Sequence, residues 1–262
     1  MISNNNPIGF FDSGVGGTSI LKEVITLLPF ENTIYLSDSK NAPYGQKTKE
    51  EIIALCIKNT EFLLAKNCKI IVVACNTATT NAIDFLRDKY AIPFIGIEPA
   101  IKPAALITKT KIIGILATKG TLNSTLFEKT SKTISKDITI KETIGKGLVE
   151  LIEAGKLHSE EMNDLLLQYL NPMIKNDIDS LVLGCTHYPY LIPQIRKIVG
   201  SKIKIIDSGE AVAKQTKAIL EKNNLIKKDA KKASHFIYIN KDKTALKNLI
   251  VNDGIEVIEK DF

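Results

Sequence analysis

Ile70-Ile71-Val72-Val73-Ala74-Cys75-Asn76-Thr77-Ala78-Thr79-Thr80 decides how this chain is read. Its first half is a short run of mostly β-branched apolar residues, the pattern of a parallel strand buried on both faces. The run stops at a cysteine. Small polar residues follow, then a helical pattern carried by Ile83, Leu86, Arg87 and Tyr90. A reactive group at the carboxyl end of a parallel strand stands where open α/β sheets bind their ligands.

The same device recurs at Ser180-Leu181-Val182-Leu183-Gly184-Cys185-Thr186-His187-Tyr188-Pro189. Each cysteine is followed by a helical stretch and then by a strand ending in an acid, Ile92 to Glu98 and Ile203 to Asp207. The cysteine-to-acid spacings are 98 − 75 = 23 and 207 − 185 = 22. Upstream, Ile8-Gly9-Phe10-Phe11-Asp12-Ser13-Gly14 pairs with Ile113-Gly114-Ile115-Leu116-Ala117-Thr118-Lys119. The offset, between 113 − 8 = 105 and 185 − 75 = 110 residues, is far longer than a solenoid period. It predicts an α/β protein of two similar parallel-sheet domains related by pseudo-two-fold symmetry. Residues 1–98 with 209–262 form the first domain and 99–208 the second, each giving one cysteine to a shared cleft.

Composition narrows the partners. The 262 residues suffice for two modest domains with a real core. Met1 to Pro7 is polar, unlike a signal peptide, and no stretch approaches the roughly 20 apolar residues of a membrane helix. The expectation is a cytoplasmic protein without a membrane partner. The net charge of +6 is spread as lysines, and only Lys227-Lys228 and Lys231-Lys232 cluster, in a polar segment that reads as a solvated linker. No nucleic-acid partner is expected; a mild positive field suits a small anionic substrate. The four cysteines, Cys56, Cys68, Cys75 and Cys185, form no CxxC pair, and only Cys185 has a near histidine, His187. No metal site is expected, and Cys56 and Cys68 read as packing residues.

The remaining pattern places strands at Ile8–Phe11, Thr33–Leu36, Pro93–Ile97, Lys111–Leu116, Ile138–Thr143, Ser234–Ile239 and Ile255–Ile258. Helices are expected at Ser19–Leu28, Lys47–Lys66, Ile101–Ile107, Gly145–Ala154, Ser159–Ile174, Ala211–Lys222 and Thr244–Val251. Ser37 to Gly45 is a turn-rich loop on top of the first sheet and a candidate substrate segment. Gly14-Val15-Gly16-Gly17 fits neither a dinucleotide fingerprint nor a phosphate loop. Asp12 before it is either a turn-forming cap or a carboxylate facing Cys75.

Two thiols on matching strand ends suggest paired acid–base chemistry. A disulfide conflicts with a reducing compartment. A lone Cys185–His187 nucleophile leaves Cys75 and the repeat without a purpose. Thiols on opposite sides of one carbon would let one take a proton while the other returns one to the far face, giving the mirror image. Such a reaction needs donors for the carbanion and neighbours that tune each cysteine, whose free pKa is about 8.5. Asp12 and His187 are the candidates. Asn76-Thr77 and Thr186-His187 lie where helix N-termini would favour carboxylates.

Asp12-Ser13-Gly14-Val15-Gly16-Gly17, Pro43-Tyr44-Gly45, Ala74 to Thr79, Gly96-Ile97-Glu98-Pro99-Ala100, Gly184 to Pro189 and Asp207-Ser208-Gly209-Glu210-Ala211 occur in this order over residues 8 to 211. Together they resemble the glutamate racemases of the cofactor-independent aspartate/glutamate racemase superfamily. The resemblance implies interconversion of L- and D-glutamate without a cofactor, supply of D-glutamate for peptidoglycan, and a homodimer. It makes Cys75 and Cys185 the two bases, with Asp12 assisting Cys75 and His187 assisting Cys185. A further glutamate would stand near Cys185; Glu153 matches best, with Glu150 as the alternative. Asp12, Ser13, Tyr44, Gly45, Asn76, Thr77, Thr118, Thr121, Thr186 and His187 would hold the substrate. Beyond residue 211 no motif matches, and the tail is expected to complete the first domain. The rival readings are an aspartate racemase and an amino-acid-binding protein without turnover.

Overall fold

Strands and helices alternate along the whole computed structural model, which describes residues 3–134, 136–229, 231–250 and 254–262, with all their side chains save those at 245, 247 and 248. In chain order they are β1 (Ile8–Asp12), α1 (Thr18–Leu27), β2 (Thr33–Ser37), α2 (Lys49–Ala65), β3 (Ile70–Val73), α3 (Asn76–Lys89), β4 (Phe94–Gly96) and α4 (Ile101–Ile107). Then come β5 (Ile112–Ala117), α5 (Lys119–Leu122), α6 (Thr125–Ile134), β6 (Thr139–Ile144), α7 (Leu148–Glu153), α8 (Glu160–Lys175), β7 (Ser180–Gly184) and α9 (Ile192–Val199). The chain ends with β8 (Lys204–Ile206), α10 (Gly209–Lys222), β9 (His235–Ile239), α11 (Thr244–Leu249) and β10 (Ile255–Glu259).

One sheet has the order β10-β9-β2-β1-β3-β4 and the other β6-β5-β7-β8. Every pairing in both is parallel. The stretches β2-β1-β3-β4 and β6-β5-β7-β8 share one order: second, first, third and fourth strand of each half. The internal repeat in the sequence is therefore a repeat of topology. Among the described residues, β9 and β10 have no counterpart in the second sheet.

The central strands β1, β3 and β7 are buried at every residue, which is why they read as unbroken apolar runs. Strand β6, at an edge, has no buried residue, and its Thr-Ile-Lys-Glu-Thr-Ile sequence carries polar residues at four of its six positions. Thr48 and Glu51 form a reciprocal capping box that starts α2, and Ser159 caps α8. A continuous apolar cluster runs from Ile8, Phe10 and Val72 of the first sheet through Val15 and Val149 to Leu116 and Leu181 of the second. The two sheets thus share part of one core.

Three local expectations are corrected. No α-helix begins directly behind Cys185–Thr186–His187: a 3-10 turn, Tyr188–Leu191, intervenes before α9. Pro189 and Pro193 lack the N–H groups that an α-helical ladder through this segment would use, and each sits at a first-turn position where that loss is harmless. The helix expected from Gly145 begins at Leu148, because β6 runs on to Ile144 and Gly147 turns the chain at φ 85°. The tail helix ends at Leu249; its expected last residue, Val251, lies outside the described residues.

Candidate active site

The carboxyl ends of β1 and β3 face those of β5 and β7 across a narrow cavity. Ser13, Tyr44, Gly45, Cys75, Asn76 and Thr77 line it from the first half, and Thr118, Val149, Cys185, Thr186 and His187 from the second. The free space, about 10 Å³, holds no more than a water molecule. An amino acid reaches it only if the walls separate. Pro43, Gly45, Thr118 and Val149 also line a larger cavity of about 670 Å³ outside, with Lys47, Lys119, Lys146 and Glu150 on its walls. The thiols lie in the smaller one.

Cys75 follows β3 and caps α3. Its Sγ accepts the Ala78 N–H at 3.4 Å and donates to Ser13 Oγ at 3.7 Å. Strands β1 and β3 are neighbours, with Phe11 opposite Val73, so Asp12-Ser13 emerges beside Ala74-Cys75. Asp12 is fully buried. Its Oδ2 accepts the Gly17 N–H at 2.7 Å, and Ser13 and Thr186 hydroxyls approach it at 3.4 and 3.5 Å. Both sequence readings of Asp12 hold: it caps the turn and faces the thiol. Burial pushes the Asp12 carboxyl above its ordinary value, against the pull of the His187 charge. Burial and the Asp12 charge together push the Cys75 thiol well up, against the smaller help of Ala78 N–H and Ser13. These surroundings disfavour the Cys75 thiolate.

Cys185 has different company. His187 Nδ1 lies 3.8 Å from its Sγ, and His187 Nε2 lies 2.6 Å from Glu153 Oε1. Glu153 also accepts the Val15 N–H at 2.7 Å and the Ser39 hydroxyl at 2.9 Å. Burial opposes the charged forms of both His187 and Glu153, but their mutual hydrogen bond and charges, with the Cys185 contact, prevail. The imidazole is raised well above its ordinary value and the carboxyl lowered below its own. The result is a buried imidazolium–carboxylate pair beside Cys185. Glu150, the alternative carboxylate, is exposed and accepts Gln46 Nε2 at 2.6 Å.

The glycine turn after β1 makes this pair possible. A Cβ on Gly14 would stand 1.9 Å from Glu153 Oε1, and one on Gly16 would stand 2.2 Å from His187 Nδ1. The missing side chains of this turn admit the second half's imidazole and carboxylate. Hydroxyls close the other wall. Thr77 and Thr118 Oγ1 atoms are 2.7 Å apart, with Thr121 Oγ1 at 3.3 and 3.0 Å from them. Asn76 lines the cavity with its Nδ2 3.4 Å from the Ile97 carbonyl.

Asp12, Thr121 and Glu153 do not reach the cavity wall. Asp12 lies in contact with Cys75, and the fully buried Thr121 hydroxyl bonds Thr77 and Thr118. Val149 and Ser39 escaped the sequence reading. Val149 looked like ordinary core, and Ser39 was one polar residue in a polar loop. Among the described residues no group of three or more His, Cys, Asp or Glu side chains could hold a metal ion.

The sequence profile of the Asp/Glu/Hydantoin racemases matches residues 16–216. This chain belongs to that family. A curated glutamate racemase of Herpetosiphon aurantiacus is 45% identical over 222 residues, covering 85% of this chain and 87% of that one. The crystal structure of glutamate racemase RacE1 from Bacillus anthracis superposes with a TM-score of 0.88 at 31% identity, covering 98% of both chains. The Francisella tularensis glutamate racemase solved in complex with D-glutamate superposes at 0.83 with 28% identity, again over 98% of both.

Proposed function

We propose that this family member interconverts L- and D-glutamate by a two-thiol mechanism that needs no cofactor. The observation that carries the proposal is that Cys75 and Cys185, one from each sheet, line the same cavity from opposite halves. Cys185, beside the imidazolium, takes the α-proton of L-glutamate. Cys75, as the thiol, gives its proton to the opposite face, and the reverse reaction exchanges the roles. The thiols must be free, as all four cysteines are, which suits a reducing cytoplasm. Asn76, Thr77, Thr118 and Thr186 stand on the wall as donors for substrate carboxylates, and the N–H groups at the start of α3 add theirs. Glu153 keeps His187 charged and oriented.

Residues 1–98 with 209–262 are assigned to the domain carrying Cys75 and residues 99–208 to the other. The two crossings lie together, Ser208 Oγ donating to the Glu98 carbonyl at 2.6 Å. A homodimer is part of the proposal; light scattering on the purified protein tests it. No helix among the described residues is long and apolar enough to cross a membrane.

Circular dichroism of the dialysed protein with L-glutamate, then D-glutamate, tests the reaction. Decay of the signal to zero from either side, in EDTA, is the expected result. Decay with aspartate alone would make the chain an aspartate racemase, and a persistent signal with saturable binding would make it a binding protein.

A further inference from the structure

The tail beyond residue 211 carries none of the motifs, yet it ends one strand at the substrate loop. Strand β9 pairs with β2 in parallel, with Ile239 opposite Ser37, so the residues that follow, Asn240 and Asp38, emerge beside each other. Both are buried. The Asn240 amide is held at both ends: Nδ2 donates to Asp38 Oδ1 at 2.5 Å, and Oδ1 accepts the Lys40 N–H at 2.9 Å. The other oxygen of Asp38 accepts the Tyr44 hydroxyl. Tyr44 is almost fully buried and lines the cavity between the two cysteines.

We infer that Asn240 is a positioning residue of the racemase site: through Asp38 it sets the place of Tyr44, and through Lys40 the course of the loop that carries it. The inference rests on the proposed racemase reading and on the expectation, implied by the resemblance, that Tyr44 on the cavity wall holds glutamate. A buried carboxylate that accepts from Tyr44 on one oxygen needs a donor on the other. Asn41 Nδ2 supplies one at 2.8 Å, but from within the same loop. Asn240 is the donor that ties Asp38 to the sheet, and a side chain held at both ends has no freedom to let Tyr44 swing. This gives the two extra strands of the first sheet a purpose. The loop after β2 lies at the site, and β9 is the neighbour on its open side.

The measurement is steady-state racemisation by Asn240→Ala, Asn240→Asp, Tyr44→Phe and Asn240→Ala/Tyr44→Phe, with Tm for each. Asn240→Asp is isosteric; it keeps an acceptor for the Lys40 N–H but sets a carboxylate against Asp38. The expected result is a KM for glutamate raised about tenfold in Asn240→Ala and at least as much in Asn240→Asp, with kcat within about twofold. In the Tyr44→Phe background the Asn240 substitution adds little, because the two residues act in series. Asp261→Asn, which breaks only the exposed ion pair with Lys40, leaves KM unchanged. If Asn240→Ala does not fold, the isosteric Asn240→Asp gives the same reading. Asn240→Asp with wild-type KM, or KM effects that simply add in the double variant, overturns the inference. The failures are separable. Tyr44→Phe with raised KM and Asn240 variants without it overturns the role of Asn240 alone. Tyr44→Phe with wild-type KM overturns the placement of glutamate on Tyr44, and this inference with it.

Discussion

Cys75 and Cys185 end equivalent strands of two sheets with one strand order, yet their surroundings are built differently. Around Cys75 are a helix N-terminus, a serine and a buried carboxylate with its pKa raised. Around Cys185 are a 3-10 turn and an imidazolium clamped by Glu153. Fold symmetry brings the two thiols to one cavity from opposite halves; it does not make them alike. The second half lends its histidine–glutamate pair across the cleft to the glycine turn of the first, which offers the Val15 N–H in return. The charged histidine–glutamate pair thus stands beside one thiol, while burial pushes the other thiol's pKa up.

The hardest test of this comparison removes either sulfur. Cys75→Ala and Cys185→Ala should each lower racemisation in both directions by about a thousandfold or more, since each direction needs one acid and one base. In deuterated water the initial product should carry deuterium while unreacted substrate stays largely protiated. Full racemisation by Cys75→Ala would leave only one base.

The next test separates the halves. Glu153→Gln should lower kcat from L-glutamate by about ten- to a hundredfold and kcat from D-glutamate by less, because it removes a charged hydrogen bond from the imidazole beside Cys185. The two values of kcat/KM stay equal, since the equilibrium constant between enantiomers is unity by symmetry. The ratio of KM for L-glutamate to KM for D-glutamate must therefore fall with the ratio of the two kcat values. Equal loss of kcat in both directions would mean that His187 serves both thiols alike.

The same substitution has a signature in stability. Glu153 lies below its ordinary 4.5, so its contribution is present above that pH and lost as pH falls through the lower folded value. His187 lies well above its ordinary 6.5, so its contribution is full below 6.5 and lost as pH rises through the folded value. The excess Tm of the unsubstituted chain over Glu153→Gln should therefore be largest between pH 4.5 and 6.5 and shrink on both sides. A flat difference from pH 3 to 10, roughly the span of ordinary carboxylate to phenol titration, would deny the ion pair.

Smaller effects sharpen the map. Thr118→Ala should raise KM about tenfold, because it removes a wall hydroxyl and loosens the Thr77–Thr121 contacts across the cleft. Cys68→Ala is the contrast: Cys68 is buried beneath Gly9 at the far side of the sheet, its thiol pushed up to about 12 by burial. Activity should stay within about twofold while stability drops by about 1 kcal/mol. Thiol chemistry that follows Cys68 would mean that burial alone does not distinguish the two kinds of cysteine.

The sequence by itself determined the alternation of strands and helices, the two-fold repeat and the cysteine at each strand end. Those features are written in local periodicity: unbroken apolar runs for strands buried on both faces, a 3.6-residue pattern for helices, and small polar residues at the joins. It also singled out Asp12, which ends a strand, and His187, which lies two residues from Cys185. What only the tertiary structure decided are relations between distant parts of the chain. Glu153 rather than Glu150 meets His187, because the course of α7 aims one carboxylate inward and leaves the other exposed. Gly14 and Gly16 leave space for groups 139 and 171 residues away, 153 − 14 and 187 − 16, a use invisible in the turn's own residues. Asn240 reaches Asp38 because β9 pairs with β2 in parallel register. Periodicity reports which face of an element is buried; which distant side chain it meets there depends on strand order and register, and those are properties of the folded chain.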